Sequence, residues 1–247
     1  MKKITLGSWI TLSHPSIIEI MADAGFEWLC VDMEHSVIDY FEAQQLIATI
    51  QAKGLYAFVR VGENNARIIK RVLDAGADGI IVPMVNNKED AIKAVQSAKY
   101  PPQGKRGVGL ARAQKYGFGF DEYKNVTIKN IKIIAQIEHI DGIRNLEEII
   151  AVDGIDGTMV GPYDLSGSMG KPGQYNDDDV CEALLQYETT GKKFDKPIGF
   201  HVIQPDYNLV IEKWKKGYSF IAFSLDTFFL GNMCRQQIQL FKKHTSL

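Results

Sequence analysis

Short apolar runs alternate with amphipathic stretches along the whole chain. Runs of the strand kind lie at 5–10, 28–32, 56–61, 79–82, 132–137, 157–160, 197–202 and 220–223. Between and after them, apolar residues recur at helical spacing over 15–23, 41–52, 66–74, 88–98, 141–150, 178–190, 206–214 and 227–243. Strands that alternate with helices imply a mostly parallel sheet. About eight such units is the count of a closed (β/α)8 TIM barrel, an α/β fold. The rival is an open doubly wound sheet, which commonly has fewer strands and a glycine-rich phosphate loop after the first. Here the first run leads into SWITLSHP, with no G-x-G-x-x-G.

Punctuation falls where this scheme needs it. Ala24-Gly25, Ala75-Gly76 and Gly217 each follow a helix-like stretch, as a left-handed C-terminal cap requires. The longest irregular segment is 100–130, rich in glycine, and a loop of that length is usually functional or mobile. No repeat, low-complexity tract or linker divides the chain, so residues 1–247 read as a single domain.

Composition narrows the classes. The 247 residues are 45% hydrophobic and 23% charged, with net charge -2 and a sequence pI near 6.2. That balance fits a globular core and offers no strong field for a nucleic acid or an anionic membrane. No apolar run is long enough to span a bilayer. Cys30, Cys181 and Cys234 are sparse and odd in number, which argues for reduced thiols in a cytoplasmic setting. The basic start Met1-Lys2-Lys3 precedes an apolar run broken by Gly7, Ser8 and Ser13, and it does not read as a secretion signal.

In a parallel barrel the chemistry collects at the C-terminal strand ends. Those ends carry Asp32, Glu34 and His35; Arg60; Gln136, Glu138 and His139; Gly161, Pro162, Tyr163 and Asp164; His201; and Ser224 and Asp226. Glu138 and Asp164 are two carboxylates from neighbouring strand ends, a donor set suited to Mg²⁺ or Mn²⁺. Each also has a plainer reading, Asp164 as a helix cap and Glu138 as a solvated loop residue. Arg60 can grip a carboxylate or enolate with two parallel hydrogen bonds, or serve a structural ion pair. An imidazole such as His35 can act as a base near neutral pH when a carboxylate orients it, and Asp32 is the candidate orienter. The alternative is a surface histidine beside acids. Gly107-Val108-Gly109 lacks a strand–turn–helix context and reads as a turn. A Schiff-base mechanism needs a shielded lysine on a barrel strand. The nearest, Lys132, begins its strand, away from the mouth.

The segments AGFEWLCVDMEH (24–35), FVRV (58–61), LDAGADGIIVPMV (73–85), YPPQGKRGVG (100–109), AQIE (135–138), VDGIDGTMVGPYDLSGSMG (152–170) and SLDT (224–227) resemble the HpcH/HpaI aldolase family, metal-dependent pyruvate aldolases. The resemblance implies that Glu138 and Asp164 ligate a divalent cation (Mg²⁺ or Mn²⁺, with Co²⁺ or a similar ion as an alternative). It implies Arg60 on the pyruvate oxygens, His35 as base partnered by Asp32, and Asp74 acting near the histidine across a subunit contact. Gln136 is implied as a substrate-binding amide, and the backbone of 161–164, with Gly161, Pro162 and Tyr163, as a carboxylate receiver. It further implies a homohexamer, or trimer of dimers, that exchanges its last helix, here 227–243. Tyr163 stands where members have a small residue, and His201 where an apolar one is expected. Both leave the acceptor aldehyde open.

The expected reaction joins or splits pyruvate, as its enolate, and an aldehyde, acting on a 4-hydroxy-2-oxo acid. Lewis-acid polarisation and Arg60 would stabilise the enolate, and His35 would take the 4-hydroxyl proton. Two rivals stand beside it. A citrate-lyase-like enzyme acting on a CoA thioester wants a basic surface near the mouth, for which Lys105 and Arg106 are few. A non-catalytic barrel would bind no metal.

Overall fold

The strands form where β-branched and aromatic residues cluster between turn residues, and all eight sequence runs become strands in the computed structural model, which describes residues 5–245. They are β1 (Thr5–Ile10), β2 (Trp28–Asp32), β3 (Tyr56–Arg60), β4 (Gly79–Val82), β5 (Lys132–Ile137), β6 (Gly157–Val160), β7 (Ile198–Val202) and β8 (Phe220–Leu225). All pairs are parallel, and β8 returns to β1 to close the barrel in sequence order. The basic start Met1-Lys2-Lys3 lies outside the described residues.

The principal helices are α1 (Pro15–Asp23), α2 (Tyr40–Ala52), α3 (Ala66–Asp74), α4 (Lys88–Ala98), α10 (Asp178–Gly191), α11 (Tyr207–Lys215) and α12 (Asp226–Thr245), with α7 (Ile140–Arg144), α8 (Leu146–Ala151) and α9 (Pro162–Ser168) shorter. The irregular segment 100–130 is a string of short turns that includes α5 (Phe120–Glu122) and α6 (Ile128–Asn130). Local chemistry fixes several starts. Asp39 accepts from the N–H of Phe41 and Glu42, and the Glu42 carboxylate reaches back to the Asp39 N–H, which completes a capping box. The single helix expected over 141–150 is two, because Asn145 (φ −97°, ψ 9°) leaves helical geometry and its amide donates to Asn86 O at 2.9 Å.

Two apolar cores result. The larger lies between the strands and the helix ring, with Leu29, Val59, Ile80 and Ile137 facing Ile47, Leu73 and Ile149. The smaller fills the barrel itself with Trp9, Trp28, Cys30, Phe58, Ile81, Ile134, Met159, Phe220 and Ala222. Trp28 stacks on Phe220 at 4.3 Å between ring centroids. Gly7 makes that possible, since a Cβ there would stand 1.9 Å from the Trp28 indole. The barrel is thus plugged below its C-terminal mouth, and ligands must enter from above. Among the described residues, no helix is long and apolar enough to cross a membrane.

Candidate active site

β2 and β3 are in register so that Asp32 lies beside Arg60. Their side chains meet in two parallel hydrogen bonds, Arg60 Nε to Oδ1 at 2.9 Å and Nη2 to Oδ2 at 2.6 Å. The guanidinium also lies 4.4 Å from the centre of the Trp9 ring, so it is clamped on two sides. Burial alone would raise the Asp32 carboxyl, but the hydrogen bonds and charge of Arg60 outweigh it and hold it below the ordinary carboxylate range.

The Asp32 carboxylate, expected as the partner of the His35 base, here meets Arg60 and the main chain of the turn that carries the histidine. Its Oδ1 accepts the backbone N–H of Glu34 at 3.1 Å and of His35 at 3.2 Å, so it shapes the turn that carries the histidine. The His35 side chain is 66% exposed, and its Nε2 lies 3.8 Å from Glu34 Oε2. Glu34 received no role from the sequence. It is nearly enclosed, 3.3 Å from Arg60 Nε, and burial, opposed by Arg60 and reinforced by Glu138, Asp32 and Asp164, pushes its carboxyl up to about 7.

Across the mouth, Glu138 follows the end of β5 and is buried. One oxygen accepts the N–H of Met84 at 2.7 Å, and the other the Gln136 amide. Burial raises its carboxyl despite these bonds, and the charge of Asp164 adds to the rise. Asp164, in the first turn of α9, is exposed at the mouth. Gly161 keeps the space over Glu138 open, since a Cβ there would come 3.1 Å from the Glu138 Cβ and 3.2 Å from Oε2. Buried Gln136 leaves its Oε1 without a partner. A buried carboxylate next to an accessible one, with space beside them, fits a hard cation that keeps its remaining positions for water or substrate oxygens. Among the described residues, no group of three or more acidic, histidine or cysteine side chains is arranged around one point, so two protein carboxylates are the donor set offered.

Trp9, Arg60, Gln136, Gly161, Pro162, Tyr163, Asp164 and His201 all line one cavity of about 100 Å³ at the mouth. Larger grooves lie outside the barrel, one of about 520 Å³ between α3 and α4. Another, of about 510 Å³, holds Gln51, Asp78 and Arg112, but these pair with one another, Arg112 with Gln51 at 2.8 Å and Gln51 with Asp78 at 3.0 Å. Neither groove is lined by a residue of the barrel mouth, where the chemistry of such folds collects. Gly161 N–H is taken by Ile137 O at 2.9 Å and Pro162 has none, which leaves the first-turn N–H groups of Tyr163 and Asp164 as the receivers in 161–164.

Other strand-end residues have structural work. His139 accepts from the Asp141 N–H and caps α7. Asp226 takes the Thr11 hydroxyl at 2.6 Å and the N–H of Thr11 and Leu12 at 2.8 Å. Asp74 ends α3, away from the mouth of its own barrel. It pairs at 2.6 Å with Arg106, whose side chain is fully buried. Arg106 is therefore not available to a CoA phosphate. Lys132 pairs with Asp156 at 3.0 Å at the opposite end of the barrel, as the case against an imine requires.

A plugged (β/α)8 barrel with paired carboxylates, a clamped guanidinium and an imidazole around one opening defines an enzyme that stabilises an anion on a small oxygen-rich substrate. The sequence pattern of the HpcH/HpaI aldolase/citrate lyase family matches residues 5–232, and the chain belongs to that family. It is a carbon–carbon lyase of the aldolase kind. It is similar to a hydroxypyruvate/pyruvate aldolase of Roseobacter denitrificans (34% identical, covering 92% of this chain and 88% of that one). It is also similar to a 5-keto-4-deoxy-D-glucarate aldolase of Enterobacter sp. strain 638 (35% identical, covering 98% and 94%). A family member from Burkholderia cenocepacia superposes with a TM-score of 0.90 at 31% identity, over 97% of this chain and 95% of that one.

Proposed function

We propose that the protein makes or breaks the bond between a pyruvate-type 2-oxo acid and an aldehyde, acting on a 4-hydroxy-2-oxo acid. The observation that carries this is buried Glu138, with Asp164 close enough to raise its carboxyl, while Asp164 and the clamped Arg60 line one cavity at the mouth. Glu138 and Asp164 would hold a divalent cation, Mg²⁺ or Mn²⁺ with Co²⁺ as an alternative, which when bound supplies Lewis-acid polarisation of the keto group. Arg60 holds positive charge where the enolate develops and cannot swing away, because Asp32 and Trp9 fix it. Gln136 and the first turn of α9 orient the 2-oxo acid. His35, exposed on its turn, takes the proton from the 4-hydroxyl as the aldehyde leaves, with Glu34 as its nearest carboxylate.

The assembly we propose is a homohexamer or trimer of dimers with α12 exchanged. Leu230, Met233, Ile238, Leu240 and Phe241 on α12 are exposed, an apolar surface too large for an isolated helix in water. Asp74 then acts beside His35 of a second copy. The unpaired thiols of Cys30, Cys181 and Cys234 suit a reducing, cytoplasmic setting. Pyruvate release from a 4-hydroxy-2-oxo acid, followed with and without a chelator, tests the reading. Release that stops without cation and returns with Mn²⁺ supports it, and undiminished release in chelator removes it.

A further inference from the structure

His201 lies at the floor of the mouth on β7, tilted against Trp9 with ring centroids 5.5 Å apart. One ring nitrogen interacts with the main chain of Ser224 in a way that favours a proton on the ring, so that contact is with the carbonyl. A carbonyl only accepts, so this nitrogen carries the hydrogen. The other, Nε2, is buried and has no partner. Burial, with the charge of Arg60 adding, depresses the imidazole to about 3, so Nε2 is a bare acceptor across the working pH range.

Two more residues of the same cavity carry buried polar atoms without partners, Gln136 Oε1, an acceptor, and Trp9 Nε1, a donor. The set decides the chemistry of what would fit. A carboxylate cannot donate to His201 or Gln136, and an ammonium cannot accept from Trp9. A hydroxyl does both. We infer that His201 reads a substrate hydroxyl through Nε2, borne either on the carbon next to the keto group of the 2-oxo acid or on the aldehyde. This rests on the aldolase reading above and adds a preference to it. A site that hydrogen-bonds a hydroxyl in a buried cavity rejects the analogue that lacks it, because its own polar atoms stay unpaired.

Four pairings test it: pyruvate or hydroxypyruvate with acetaldehyde or glycolaldehyde, at saturating Mn²⁺, for the wild type, His201→Phe and His201→Gln. The expected result is that His201→Phe lowers the kcat/KM of a hydroxylated pairing relative to its plain counterpart by about tenfold or more. The pairing affected shows which half bears the hydroxyl. His201→Gln, which keeps an acceptor, restores part of that ratio. A ratio unchanged in all pairings overturns the inference, whether the rates fall together, as for a packing role, or stay level, as for a cavity that only holds water. If the wild type turns over no pairing, the aldolase reading fails instead. Calorimetric binding of each hydroxylated compound against its plain counterpart then decides. A wild-type preference lost in His201→Phe keeps the inference, and equal affinities end it.

Discussion

Asp32 and Arg60 sit opposite each other on β2 and β3 and close a two-pronged ion pair of 2.6 and 2.9 Å in the wall of the mouth. Arg60 is thereby aimed before any substrate arrives, and the pair ties the turn of Glu34 and His35 to the same point. Asp32→Asn keeps the shape but removes the charge and one acceptor oxygen. We expect kcat/KM for cleavage to fall by about 100-fold, the scale of a small misplacement of a charged group. Steady-state kinetics check this, and a change under threefold would show that Arg60 needs no anchor.

Glu34 gives the fold a pH dependence of a definite sign. Its carboxyl, ordinarily near 4.5, stands at about 7 in the folded chain. The native state therefore holds a proton that the unfolded state has released between these values. The contribution of Glu34 to stability is full below pH 4.5 and is lost as pH rises through about 7. Metal-free wild type compared with Glu34→Gln in urea titrations at pH 4.5 and pH 8 should show it. The difference between the two proteins must move in favour of the variant at pH 8, and a constant difference would refute the assignment.

The barrel was legible because strands and helices differ in period, and eight such units leave few topologies. The rim residues were legible because each ends a strand. What sequence could not give was register. Only the alignment of β2 with β3 shows that Asp32 pairs with Arg60. Glu34 stood in plain view, one residue before His35, yet its enclosure depends on a turn in which the Ser36 hydroxyl donates to the Asp32 carbonyl. The Met84 N–H that meets Glu138 is main chain held at φ 53°, and the residue's identity carries no trace of it.

Gly161 is where the cation proposal can be tested without replacing either carboxylate. Its φ of −100° suits any residue, so Gly161→Ala imposes no backbone strain. The new methyl must press on Glu138 at 3.1–3.2 Å. We expect Mn²⁺ affinity to drop about tenfold or more, in the range seen when groups that orient ligands are disturbed. Melting temperature should change little. Glu138→Gln should lower the affinity further. Calorimetry reads both, and wild-type affinity in both variants would move the ion elsewhere.

Asp74 offers the sharpest test of assembly, because its two roles predict different outcomes. Within one chain it is the partner of Arg106, whose guanidinium also donates to the Tyr123 hydroxyl at 2.8 Å. Asp74→Asn leaves a buried cation half-paired and should cost stability of about 3 kcal/mol. That loss alone would not be repaired by mixing. If Asp74 also serves His35 of a second copy, then Asp74→Asn and His35→Ala, each inactive alone, should complement after unfolding and refolding together. Some mixed contacts would hold both native groups, and random assembly would restore about a quarter of wild-type activity. No recovery, with mixed oligomers verified by mass, would confine Asp74 to its ion pair with Arg106.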